Sequence, residues 1–410
     1  MNKLAADYRK IWWARVQNER RRYFFQKLGY RKNPGASRLK QIIRWISDDF
    51  FYVKKWGLNI LLQLRTYGPI IQKKYGLSKR QQFWRMAYLA FYHQVDPKSI
   101  RGRRLYLSES WKNVDDYTYK HDESQYNLAE VSFPEEIKIL ENKFEFLKFC
   151  LSKKIATPQI LAIYENGSMS FSADSSFGLP HQNLFIKYLH GKAGQGIRRI
   201  KWSDGKFLDN KGNTFTPEEL SEVLSKESIK SGIILQDVIE NHSSWSGFTS
   251  GALATARIVT AKSPDDGSVI PLFAALRMPV GDAYIDNFSK GGFYSGIDLE
   301  TGQLSIASGL KAANGSFDFT HHPDTGQKVD GEKLPFWKEI LEFTRQTHSK
   351  FSTIFVGWDI SMTKAGPAVV EGNIGWASRS YECPNIKPLR DTNYPILYEK
   401  WMEKFLESDE

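Results

Sequence analysis

The chain has 410 residues, 41% of them hydrophobic and 14% aromatic, with 57 Lys+Arg against 46 Asp+Glu. This composition excludes a disordered or low-complexity polymer and supports two or three folded cores. Two cysteines, Cys150 and Cys383, exclude a disulfide framework and a cysteine metal cage and favour a cytoplasmic setting, while no apolar run reaches the roughly 20 residues of a membrane span.

The charge is divided unevenly. Residues 1–105 hold about 25 basic and about 5 acidic side chains, leaving the rest mildly acidic. The N-terminus lacks the apolar core and small-residue cleavage site of a signal peptide. Apolar residues recur every three or four positions over 8–28, 37–56 and 78–93, which predicts helices punctuated by Asn33-Pro34-Gly35 and Tyr67-Gly68-Pro69. Ser78 followed by Gln81 forms a capping box. Trp12, Trp13, Tyr23, Phe24, Phe25 and Tyr30 lie among about nine Arg or Lys over 8–32. Such helices either pack their aromatic face on the acidic body or rest on an anionic membrane surface. Nucleic acid ranks last as a partner, because no recognition module is readable.

A polar connector over 109–130 leads to a helix at 134–153 and a strand at 159–164. Strands follow at 183–188 and 197–202, then a short helix at 215–224 opened by Thr216-Pro217-Glu218-Glu219. Further strands are expected at 233–239, 254–260 and 272–278, with a helix at 335–348. The class is α+β, with antiparallel hairpins and helices packed on one face.

Two features carry chemistry. In the first, Val356-Gly357-Trp358-Asp359-Ile360-Ser361 and Gly366-Pro367-Ala368-Val369-Val370-Glu371-Gly372-Asn373 read as a hairpin around Thr363–Gly366. Strand alternation puts Glu371 and Asn373 on one face, and folding brings Asp359 beside them. Two carboxylates and an amide oxygen form a hard-oxygen cluster suited to Mg²⁺ that bridges nucleotide phosphates. Flanking Val, Ile and Trp would bury those acids, which then need partners. In the second, a strand ending at Lys187 enters Gly191-Lys192-Ala193-Gly194-Gln195-Gly196. Its glycines let backbone N–H groups surround an anion, with Lys187 and Lys192 adding charge. The pattern is neither a P-loop nor a Rossmann fingerprint.

In chain order, Asn142-Lys143, Thr157-Pro158, the glycine loop, Ile233–Ile239, Thr255-Ala256-Arg257-Ile258-Val259-Thr260, Asp286-Asn287-Phe288-Ser289-Lys290-Gly291-Gly292, His322-Pro323-Asp324-Thr325-Gly326 and the final hairpin resemble the ATP-grasp superfamily. The finer match is similar to the sugar-transfer-associated ATP-grasp family of cell-surface polysaccharide loci, over roughly residues 76–395. The resemblance implies a basic, mainly helical region and connector over 1–125, then an ATP-grasp domain over 126–405. That domain would clasp ATP between a lid subdomain at about 155–240 and a metal and substrate subdomain at about 241–395.

By position, Lys143 and Lys187 would contact the ATP phosphates beneath the lid Gly191–Gly196. Gln236, Asp237, Val238 and Ile239 would meet adenine at the hinge, with His242 near the ribose. Asp359, Glu371 and Asn373 would hold Mg²⁺. Arg257 sits among Ala, Ile and Val, so it is either half of an internal salt bridge or a contact to the transferring phosphoryl group. Asn287 and Lys290 would recognise the acceptor or acyl-phosphate oxygens, with Arg277 a weaker candidate. Relatives run from Glu-Gly-Asn through a Pro/Gly turn towards Gln; this chain instead reads Ile374-Gly375-Trp376-Ala377-Ser378-Arg379-Ser380. Substrate identity is expected there, with Arg379 a candidate for a carboxylate.

The implied activity is ATP-dependent ligation of a carboxylate to an amine through an acyl-phosphate, in cell-surface polysaccharide synthesis at the inner face of the plasma membrane. The alternatives are a sugar kinase-like phosphotransferase and a non-catalytic nucleotide-binding scaffold.

Overall fold

The computed structural model describes residues 38–93, 95–111, 113–118, 133–173, 178–189, 196–281, 292–313, 316–376, 378–385 and 387–408. The helix expected at 8–28, its aromatic residues and much of the connector lie outside them.

The front section is helical: α1 (Arg38–Tyr75), α2 (Lys79–Phe91), α3 (Pro97–Gly102) and α4 (Ser108–Trp111). Helix α1 continues through Gly68-Pro69, where the sequence predicted a break. Trp56, Ile60, Leu64 and Ile71 share its buried face, and that apolar seam outweighs the one hydrogen bond Pro69 removes. Gln82 of α2 ties the join, donating Nε2 to the Gly68 carbonyl at 3.0 Å and the Leu77 carbonyl at 2.7 Å. The Ser78–Gln81 capping box forms as the sequence predicts. The connector opens with α4 and a 3₁₀ turn at Val114–Asp116 rather than irregular chain.

The single helix predicted over 134–153 is two, α5 (Pro134–Glu141) and α6 (Lys143–Ser152). Asn142 interrupts them because its side chain accepts from the Phe144 and Glu145 amides, capping α6. Lys143 is therefore the first residue of a helix rather than interior to one.

Two antiparallel seven-stranded sheets follow. The first contains β1 (Ile160–Glu165), β2 (Ser168–Ser172), β3 (Leu184–Tyr188), β4 (Arg198–Ser203), β5 (Lys206–Leu208), β6 (Thr214–Phe215) and β7 (Ile233–Asp237), ordered β2-β1-β7-β3-β4-β5-β6. Helix α7 (Pro217–Ser228), with its Thr216–Glu219 capping box, packs Leu220 and Leu224 into the same core as Leu161, Ile186 and Leu235.

The second sheet contains β8 (Thr255–Lys262), β9 (Val269–Met278), β10 (Phe293–Ile297), β11 (Ala307–Ala313), β12 (Ser316–Phe319), β13 (Phe355–Thr363) and β14 (Gly366–Asn373), ordered β12-β11-β10-β9-β8-β13-β14. Helix α8 (Trp337–Ser349) covers one face and buries Ile340 and Leu341 with Ile258, Ala274, Leu276 and Trp358. The opposite face carries α9 (Arg379–Asn385) and α10 (Tyr394–Ser408), whose Tyr394 and Leu397 pack with Phe273, Phe355 and Trp376.

The described part of the front section packs on this second sheet. Lys74 reaches Asp318 of β12 at 2.5 Å, Arg104 pairs with the same carboxylate, and Phe317 joins the front section's core. The packing expected of the aromatic helices over 8–32 lies outside the described residues.

Candidate active site

Strand register assembles the C-terminal hairpin cluster. Asp359 lies directly opposite Glu371, and Gly357 opposite Asn373, so all three polar side chains share one sheet face. Trp358 alternates to the other face, where it is buried against Phe146, Phe351 and His348. On its other side β13 pairs with β8, placing Arg257 directly opposite Asp359. One step further, Arg277 of β9 lies opposite Thr255, on the same face as Arg257.

The contacts answer the two readings of Arg257. Its Nε and Nη2 donate to Oδ1 and Oδ2 of Asp359, both at 2.7 Å, in a bidentate pair. Arg277 Nη1 adds a third bond to Oδ2 at 2.5 Å. Arg257 is thus half of an internal salt bridge, and its partner is the acid expected to bind metal. Burial pushes the Asp359 carboxyl up, but the two guanidiniums outweigh it and hold the group well below the usual carboxylate range.

Glu371 is half-buried and has no hydrogen-bond or ion-pair partner among the described residues. Asn373 donates Nδ2 to the Gly357 carbonyl at 3.3 Å, leaving Oδ1 as an acceptor. Among the described residues no three His, Cys, Asp or Glu side chains form a metal cage. A hard cation would therefore take Glu371 and Asn373 as its open donors, with Asp359 beside them on guanidinium. That oxygen set fits magnesium, which keeps several waters and takes one or two carboxylates from protein.

The first sheet and the segment leaving it hold Lys187 and residues 236–239. Lys187 on β3 lies opposite Ile234 of β7, with Nζ 5.1 Å from the Phe185 ring. Gln236 is buried on β7, between β1 and β3. Asp237 ends that strand and accepts from the Gln159 amide at 2.7 Å, with burial pushing its carboxyl up. Val238 and Ile239 lead out of the strand and are half-buried. Gly196, at φ +69°, stands where a side chain would overlap the Tyr188 ring, so the described end of the predicted loop requires glycine. Gly191, Lys192, Gly194, Asn287 and Lys290 lie outside the described residues.

Residues 238–242 cross from one sheet to the other. The Asn241 side chain bonds both the Ala254 backbone and the Ser361 hydroxyl, and the His242 amide donates to the Met362 carbonyl at 2.8 Å. His242 Nδ1 also accepts from the Ser244 amide, capping a 3₁₀ turn. A second crossing runs through 156–157, where the Val369 amide donates to the Ala156 carbonyl and Thr157 Oγ1 donates to the Val369 carbonyl. The hairpin is therefore tied to the first sheet at both strands.

The sequence did not reveal what covers the site face. Trp376 packs directly over Gly357, Asn385 over Gly296, and Cys383 against Tyr294. Glu382 is fully buried and receives Arg103 of the front section. The only linear signal was the Arg101-Gly102-Arg103-Arg104 run, which demands acids from elsewhere in the chain.

Two antiparallel seven-stranded sheets joined by a short crossing, with a polar cluster on the last hairpin, agree with an ATP-grasp fold. The model of the sugar-transfer associated ATP-grasp family matches residues 123–393, and the chain belongs to that family. No curated protein matches the chain. Similar solved structures include the L-amino acid ligase of Bacillus licheniformis (14% identity, 58% of this chain and 41% of that one, TM-score 0.32). Others are the N5-carboxyaminoimidazole ribonucleotide synthetase of Thermotoga maritima (12%, 58% and 43%, 0.30) and the D-alanine–D-alanine ligase of Bacillus anthracis complexed with ATP (11%, 66% and 69%, 0.36). The chain spans less than half the length of the first two.

Proposed function

We propose that the chain is an ATP- and Mg²⁺-dependent ligase that joins a carboxylate to an amine in the synthesis or modification of a cell-surface polysaccharide. Membership of the family supports the ATP-dependent part, and the family's description supports the sugar context. The observation that carries the proposal is the single sheet face bearing Glu371, Asn373, Asp359, Arg257 and Arg277.

In this reading residues 155–240 and 241–395 clasp the nucleotide. Lys143, Lys187 and the 191–196 loop hold the phosphates, residues 236–239 meet adenine, and His242 lies by the ribose. Glu371 and Asn373 hold magnesium, which when bound screens the phosphate oxygens. Arg257 and Arg277 neutralise charge on the phosphoryl group as the carboxylate receives it, and Asn287 and Lys290 orient the acyl-phosphate. Positioning and charge neutralisation supply most of the catalysis in such transfers, so the reading requires no distinct general base. Exposed Leu58, Leu61 and Leu62 on α1, beside Lys54 and Lys55, support contact of the front section with an anionic membrane surface.

The test is incubation with ATP and candidate uronic acids, amino sugars and amino acids. Release of ADP and free phosphate with an amide product is expected. A phosphosugar without free phosphate would instead indicate a kinase, and ATP binding without turnover a scaffold.

A further inference from the structure

The run Arg101-Gly102-Arg103-Arg104 brings three guanidiniums to the junction between the front section and the second sheet. The chain supplies an acid to two of them, Glu382 to Arg103 and Asp318 to Arg104. Arg101, in the last turn of α3, is different. It is 8% exposed, its Nε and Nη1 are buried without a hydrogen-bond partner, and no ion pair reaches it among the described residues. Its guanidinium lies 3.9 Å over the Tyr67 ring of α1 and 5.7 Å from the Phe317 ring of β12. Those rings occupy the flat face of the cation and fix its plane. The N–H groups point outward along that plane, where stacking cannot satisfy them. An arginine stays charged inside a protein, and a buried charge without a counter-charge is costly. A second orphan lies close by. The Tyr106 hydroxyl is buried with no partner; burial pushes it up while Arg104 and Arg101 pull it down, which puts both cations within electrostatic reach.

We propose that Arg101, with the Tyr106 hydroxyl, forms a binding site for the phosphate group of a small soluble ligand. A tetrahedral phosphate offers oxygens in several directions, so one can accept from a guanidinium edge while another meets the hydroxyl. The ligand supplies the counter-charge that the chain gives to Arg103 and Arg104 but not to Arg101. Because the guanidinium is buried, a phosphate free to enter suits it better than a headgroup held at a bilayer. The site goes beyond the ligase proposal and does not rest on it. Phe317 belongs to edge strand β12 and Asp359 to β13, five strand spacings or about 24 Å apart along the sheet.

The experiment follows the melting temperature of the full chain as inorganic phosphate is added, against chloride at equal ionic strength. Phosphate should raise the melting temperature of wild type. R101M keeps an apolar stem against the rings and loses the charge. Without phosphate it should melt no lower than wild type, because an uncompensated buried charge is gone. It should also hold phosphate at least about tenfold more weakly, read from the concentration dependence of the shift. R101K, which keeps the charge without the planar fork, should fall between the two. Y106F, which removes one oxygen and no charge, should weaken phosphate about threefold. An equal phosphate response in wild type and R101M, or a full response in Y106F, would overturn the site. A lower melting temperature for phosphate-free R101M would overturn it too, by showing that the chain itself satisfies Arg101. Phosphatidic acid vesicles distinguish the source of the phosphate. They should float wild type and R101M alike; flotation lost in R101M, with no response to free phosphate in wild type, would give the site to a lipid headgroup and contradict the proposal.

Discussion

Arg103 and Glu382 are 279 positions apart and meet inside the protein, with Arg103 Nε at 2.8 Å and Nη2 at 2.7 Å from Glu382 Oε2. The remaining capacity of the carboxylate is taken by the Thr118 amide at 2.9 Å, the Ser378 hydroxyl at 3.2 Å and the Leu389 amide at 3.1 Å. The front section is thereby locked to the segment that follows Asn373. Replacing one partner leaves the other charge buried and unpaired, so E382Q is expected to cost about 3–5 kcal/mol in urea unfolding. The double variant R103M/E382M should recover only part of that loss, because it removes the uncompensated charge but leaves the buried Thr118 and Leu389 amides without their acceptor.

His348 gives a pH dependence with a defined sign. It is fully buried between the Thr260 hydroxyl at 2.6 Å and the Thr353 carbonyl at 2.7 Å, and burial depresses its pKa from 6.5 to about 4. Between those values the unfolded chain binds the proton and the folded chain does not. Its contribution to stability is therefore complete above about pH 6.5 and is lost as pH falls towards 4, at up to about 1.4 kcal/mol per pH unit. Burial depresses His322 as well, so it adds in the same direction. Denaturation at successive pH values should show the decline, and H348Q should flatten it.

Gly357 faces Asn373 across the hairpin and is roofed by Trp376, so a methyl group there would overlap the Trp376 side chain. G357A is expected to destabilise by about 1–3 kcal/mol. It should also change the near-ultraviolet circular dichroism, as Trp376 must move away from Phe273 and Tyr394. An unaltered spectrum would show that the segment after Asn373 does not rest on the sheet as described.

The hairpin was legible in the sequence because its two strands are local and joined by a tight turn; the pairing of Asp359 with Glu371 was less so, because the register set at the turn would put Asp359 opposite Val370 and a β-bulge there shifts it by one residue. The Ser78–Gln81 capping box, also local, was legible for the same reason. The arginine partners of Asp359 were not, since they come from β8 and β9, about 100 and 80 residues away. Strand β10 was missed because Phe293–Ile297 is buried on both faces and shows no alternation. Helices α9 and α10 were missed too, along with the role of Glu382, since nothing local announces a partner 279 residues upstream.

For the membrane proposal, Leu58, Leu61 and Leu62 are 58%, 55% and 55% exposed on α1, while Trp56, Ile60 and Leu64 on the same helix are core. Deleting residues 1–70 would therefore damage the fold and the surface together. The triple variant L58Q/L61Q/L62Q separates them. It should keep the wild-type melting temperature and lose flotation with anionic vesicles, and undiminished flotation would argue against this surface.

The central claim is a magnesium–nucleotide site built on the last hairpin. Calorimetric titration of the full chain with AMP-PNP, with and without Mg²⁺, tests it most directly when run beside E371A. Wild type should bind the nucleotide in a magnesium-dependent way, and E371A should lose that dependence and all ATP turnover while unfolding as cooperatively as wild type. Magnesium-dependent binding and turnover undiminished in E371A, or no nucleotide binding by wild type at all, would contradict the account.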